Sequence, residues 1–131
     1  MDRTHDTNDA RSVEHARLQR EQQAQSRLLL RGADDLARRP WRPEPAPPTA
    51  VDLTQFALWK AADLTPHEIL DAVALLPAAR DEADGAEIGL IFHARSAGLT
   101  WAQIADAMGF RSPQACQQYV SRLSARRSGH E

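Results

Sequence analysis

The chain has 131 residues with 16 basic and 18 acidic side chains, a formal charge of −2, and its apolar content comes chiefly from 23 Ala and 14 Leu, with Val and Ile together supplying 8. So few β-branched residues disfavour a sheet, abundant Ala and Leu favour helix, and an all-α domain with one short extension is the expectation. No apolar run is long enough to cross a bilayer and no leader pattern opens the chain, so a cytoplasmic protein without membrane contact is expected, and the single cysteine, Cys116, excludes an internal disulfide framework and a multi-cysteine zinc site.

Charge is unevenly spread: residues 1–49 carry +1, residues 50–92 carry −6 and residues 93–131 carry +3. This suggests an acidic helical body with a basic C-terminal face. Residues 1–12 are polar, lack an apolar period and are expected not to fold. From Val13 to about Arg38 the composition favours helix, which gives an N-terminal arm over 1–38 that is partly disordered and partly helical. Five of the eight prolines then fall within residues 40–48, a stretch that cannot continue a helix and is read as an extended linker over 39–50. The arm is therefore expected to be dispensable for folding of the body, residues 51–127, and to be the place where two copies would pair.

Start and stop signals recur through that body. Asp52 with Gln55 reads as an N-cap and its partner, opening a helix with Leu53, Phe56, Ala57 and Trp59 inward. Thr65-Pro66-His67-Glu68 is a stronger start, with a capping hydroxyl, proline in the first turn and a glutamate reaching back. Its apolar face would be Ile69, Leu70, Val73 and Leu76. Pro77 opens the next helix, which buries Ala83, Ala86, Leu90, Ile91 and Ala94 and stops near Gly98. The acidic run from Asp81 to Glu87 reads as a solvated face and a dipole partner for this helix.

The segment 99–127 carries the most information. Thr100 with Gln103 forms another capping box, Ile104, Ala105 and Met108 share one face of a two-turn helix, and Gly109 can take the left-handed conformation that ends it. Ser112-Pro113 starts a further helix at once. Two helices joined by so tight a turn are a helix-turn-helix, here without a wing because few residues follow. Ala105 would sit where the helices cross closely.

The run Ile104-Ala105-Asp106-Ala107-Met108-Gly109-Phe110, followed by Ala115, Tyr119 and Leu123, resembles the helix-turn-helix of region four of bacterial sigma factors and of related small actinobacterial regulators. Leu99 and Trp101 fit the usual lead-in of that pattern. The resemblance covers about residues 82–127 and concerns the module alone, because full sigma factors hold a further promoter-reading domain that 131 residues cannot contain. It implies a DNA-binding regulator.

At about 100° per residue, Ala115, Cys116, Tyr119, Val120 and Leu123 share one arc of the last helix. Gln114, Gln117, Gln118 and Ser121 lie opposite, with Arg122 and Arg126 toward the C-terminal end and Arg111 in the turn. Gln can pair bidentately with adenine in the major groove, and Arg can contact phosphate or guanine. No Asp or Glu occurs from Ala107 to His130, which contains four Arg. That pattern suits a surface facing a polyanion. Thr100 and Gln103, at a helix start, are added as phosphate contacts, and Ser112 as the first DNA-binding residue of the helix, Ser112–Arg127, that would enter the major groove.

The expected function is therefore sequence-specific binding of double-stranded DNA by a transcriptional regulator associated with the nucleoid, with no cofactor. Enzyme chemistry finds no nucleophile elbow, glycine-rich phosphate loop or Ser/His/Asp grouping. His5, His15, His67, His93 and His130 lack metal spacing. The rival is a protein-interaction module that docks on RNA polymerase or a sigma factor through the acidic body.

Overall fold

The computed structural model describes residues 3–128, with side chains from residue 7 onward, so His130 and the side chain of His5 lie outside it. The described residues form six α-helices, two short 3-10 turns and no strand: α1 (Arg3–Leu30), α2 (Ala50–Trp59), α3 (Pro66–Ala74), α4 (Leu76–Ser96), α5 (Trp101–Met108) and α6 (Pro113–Ser128). None of the helices is long and apolar enough to cross a membrane. The chain divides into two compact units, residues 1–80 and 81–131, with the division inside α4.

In the first unit, α1 is longer than the sequence pattern suggests and includes residues 3–12. Neither Gly nor Pro occurs until Gly32, whose φ of 121° is one that residues with a Cβ rarely adopt. The second half of α1 is core, not a free arm. Ala24 and Leu28 are fully buried with Ala33, Leu53, Phe56, Ala57, Leu64 and Leu75. Burying these side chains, at about 1.5–3 kcal/mol for one of leucine size, ties α1 to α2 and α3.

The proline stretch also packs. Arg42 is 5% exposed; its Nε lies 2.9 Å from Asp52 Oδ2 and its Nη2 donates to the Ala37 carbonyl at 3.3 Å. Pro48 is buried as well. The start of α2 differs from the sequence reading: Thr49 is the N-cap and Asp52 its partner in a capping box. Both Thr49 and Asp52 are cap-forming residue types, and the three-residue spacing between them satisfies two otherwise orphaned N–H groups. The α3 start is as expected, with Thr65 and Glu68 exchanging bonds. Donation by the Thr65 N–H, helped by Arg31, holds the Glu68 carboxyl below its usual range.

The orientation of α3 is the larger correction. Ile69, Leu70, Val73 and Leu76 are between 41% and 59% exposed, while Asp71 and Leu75 are buried. Asp71 faces inward because Arg27 of α1 meets its carboxylate at 2.6 Å, and Arg31 pairs with Glu68 at 3.1 Å. The outward residues Leu58, Ile69, Val73 and Leu76 line an uncharged groove with Ala57, Ala61 and Ala72. Trp59 is also outward, at 71% exposed.

The second unit comprises α4 from Asp81, with α5 and α6. Ile91, Ile104, Ala105 and Cys116 form its core, with Ala94, Trp101, Phe110 and Val120 against them. Ala105, at 2% exposed, is part of that core. Ala83, Ala86 and Leu90 are exposed, contrary to expectation, while Ile91 is buried as expected and Ala94 partly so. Met108 is 37% exposed, yet its Sδ is 3.9 Å from Cys116 Sγ.

Candidate nucleic-acid interface

The interface is built from the caps outward. Thr100 Oγ1 accepts the Gln103 N–H at 3.1 Å and Gln103 Oε1 accepts the Thr100 N–H at 2.8 Å. Gly109, with φ of 84°, ends α5 in the left-handed region and donates back to the Ala105 and Asp106 carbonyls. Residues 109–112 form the turn. Ser112 Oγ then accepts the Ala115 N–H at 3.1 Å and starts α6. The Thr100 hydroxyl also donates to Gln103 Oε1 at 3.2 Å, so the side-chain oxygens of Thr100, Gln103 and Ser112 are engaged in fixing helix starts, which leaves the Gln103 amide N–H groups and the Ser112 hydroxyl proton for a ligand.

One side of α6 is held against the unit. Cys116 is fully buried and Leu123 is 1% exposed. The Phe110 and Tyr119 rings lie 5.2 Å apart, and Tyr119 donates to Glu87 Oε2 of α4 at 2.8 Å. That donation, with burial, raises the Tyr119 phenol above its usual value. Burial likewise raises the Cys116 thiol, so it is a packed apolar group.

The other side carries the predicted residues. Gln114, Gln117, Gln118, Ser121 and Arg122 are all exposed and line one open trough of about 580 Å3 along α6. Arg111 is exposed in the turn. Arg126 departs from the set, because its Nη2 lies 3.8 Å from Asp84 Oδ2. Its charge is therefore partly turned toward α4.

Three fastening contacts escape sequence reasoning. Arg95 lies 5.3 Å from the Trp101 ring and donates to the Leu99 carbonyl at 3.0 Å. Glu87 receives Tyr119. Arg127 donates to the Asp81 carbonyl across Gly85, where an added Cβ would come within 3.0 Å of its guanidinium. Only the last left a trace, a glycine inside an otherwise good helix.

The acidic charge of residues 50–92 also has partners within the units: Asp52 meets Arg42, Asp71 meets Arg27, Glu68 meets Arg31 and Asp84 meets Arg126. No group of three metal-ligating side chains occurs among the described residues. No protein-family model, curated protein or solved structure matches the chain.

Proposed function

We propose that this chain binds double-stranded DNA through α5, the turn and α6, acting as a helix-turn-helix without a wing in a transcriptional regulator. The observation that carries the reading is the two-sidedness of α6. Cys116 and Leu123 anchor one face, while Gln114, Gln117, Gln118, Ser121 and Arg122 stand uncovered on the other. In the major groove the glutamines would read adenine edges, and Arg111, Arg122 and the start of α5 would hold phosphates. Arg126, shared with Asp84, is a secondary contact.

The rival, docking on RNA polymerase or a sigma factor through the acidic body, loses part of its motive because much of that charge is met within the chain. What favours it is the uncharged groove of Leu58, Ile69, Val73 and Leu76. Pairing of two copies through residues 13–38 has less to work with, since Ala24 and Leu28 are already core.

The test is a duplex-binding titration against salt with Gln117→Ala/Gln118→Ala and with Arg122→Ala. The double variant should keep its stability within about 0.5 kcal/mol and lose roughly 1–3 kcal/mol of discrimination per lost base contact. Arg122→Ala should weaken all sequences alike and lower the salt slope by about one unit. A double variant as tight and selective as the parent would remove the major-groove reading and put protein docking first.

A further inference from the structure

The exposed set on α6 has a counterpart 95 positions earlier. Gln19, Gln22, Gln23, Ser26 and Arg27 repeat the order and spacing of Gln114, Gln117, Gln118, Ser121 and Arg122. Both stretches are helical, and in α1 too the set is exposed and lines an open trough along the helix, of about 370 Å3. The match continues on the inner side, where Leu28 and Leu123 are 0% and 1% exposed. It reaches Arg31 and Arg126, each turned toward an acid of its own unit, Glu68 and Asp84.

The two faces also share a charge balance. Residues 15–31 hold Arg17, Arg20, Arg27 and Arg31 against the single acid Glu21, and no Asp or Glu falls from Gln22 to Arg31. One difference is chemical: Arg27 is held by Asp71 at 2.6 Å, so Arg20, exposed beside the glutamines, is the cation left for a phosphate.

We infer that α1 carries a second duplex-DNA-binding face with the chemistry of the α6 face, an inference that rests on the reading of α6 as a DNA reader. Amide side chains at i, i+3 and i+4 give three adjacent donor–acceptor groups on one line of a helix, the arrangement that major-groove adenines can pair with. A helix of 28 residues is about 42 Å long, enough to reach across a groove with both ends outside it. With one face in each unit, a single chain would engage two stretches of duplex, and the specificity that one module lacks would come without a second copy.

The experiment uses the full chain and a duplex selected by it from a randomised pool. Binding against salt, footprint length and mass in solution are compared for the parent, for Arg20→Ala/Gln22→Ala/Gln23→Ala, for Gln22→Glu/Gln23→Glu, and for Gln117→Ala/Gln118→Ala. The triple variant should bind about fivefold or more weakly, lose about one unit of salt slope and shorten the footprint while the α6 contacts persist. The glutamate pair, helix-forming but repelled by phosphate, should lose more. Parent-like affinity, slope and footprint in both α1 variants, with selectivity lost in the α6 variant, would overturn the second face and leave the α6 reading intact. Parent-like DNA binding with a change of mass in solution would assign the face to self-association and also overturn it. A parent that binds no duplex would end both readings.

Discussion

The Asp52 carboxylate serves two partners at once, accepting the Thr49 N–H at 3.0 Å and forming an ion pair with Arg42, whose Nε lies 2.9 Å away. The first bond closes the capping box of α2; the second compensates a guanidinium that is almost wholly buried. Asp52→Ala removes both and leaves Arg42 as an uncompensated buried charge, so it should cost about 3–5 kcal/mol. Thr49→Ala removes one cap acceptor only, at about 1 kcal/mol. Denaturant midpoints for the two variants check the order. Equal losses would mean that the Arg42 pair contributes nothing beyond the cap.

Leu28 decides whether α1 is an appendage. It has no exposed surface and shares its core with Leu53 and Phe56, so Leu28→Ala should destabilise the first unit by about 2–5 kcal/mol. A chain beginning at Thr49 would lack Ala24, Leu28 and Ala33 together, and would also leave Asp71 without Arg27. It should lose cooperative unfolding of the first unit, measured by circular dichroism against denaturant. A sharp transition of parental midpoint in the shortened chain would return α1 to the status of a detachable arm.

Tyr119 is the sole tyrosine, so tyrosinate absorbance reports its bond to Glu87 directly. Donation to Glu87, then burial, raises the folded phenol above its ordinary value of 10.0. A raised folded pKa means that its contribution is fully present below the unfolded value and is lost as pH climbs through the folded one. The second unit should therefore weaken in the alkaline range above pH 10. The absorbance midpoint should lie above 10 in the parent and fall back in Glu87→Ala, and Tyr119→Phe should flatten the alkaline loss of stability. An ordinary midpoint in the parent would mean that α6 is not fastened to α4 by this bond.

Local signals were readable wherever a structure is made by neighbours in sequence. Thr65 with Glu68, Thr100 with Gln103, and Gly109 act within one turn of helix, and each forms the contact its spacing suggests. The buried arc of α6 follows from periodicity alone. Asp71 was illegible because its partner Arg27 is 44 residues away, and only that partner makes a carboxylate preferable to Ile69 on the inner side of α3. Arg42 is only ten residues from Asp52 but lies across the proline stretch, outside the reach of a helix-turn signal, and such pairs made residues 50–92 look like an acidic surface awaiting a partner. Trp59 and Leu90 show a further limit: composition marks a helix as amphipathic, but its rotation about the axis is fixed by what it packs against. Of the candidate DNA contacts, the exposed five on α6 were legible from period, whereas the turn of Arg126 toward Asp84 depended on tertiary placement.

Gly85 interrupts α4 with a residue that costs a helix interior about 1 kcal/mol relative to alanine, and the Arg127 guanidinium fills the space a methyl group would take. The bond from Arg127 to the Asp81 carbonyl makes the end of α6 open together with α4 instead of fraying by itself. In amide exchange the last turns of α6 would then report opening of the second unit. An alanine at position 85 would ask the guanidinium to shift by only a few tenths of an ångström, whereas a bulky side chain there would push it off the Asp81 carbonyl and loosen that end without altering any residue on the outward face of α6.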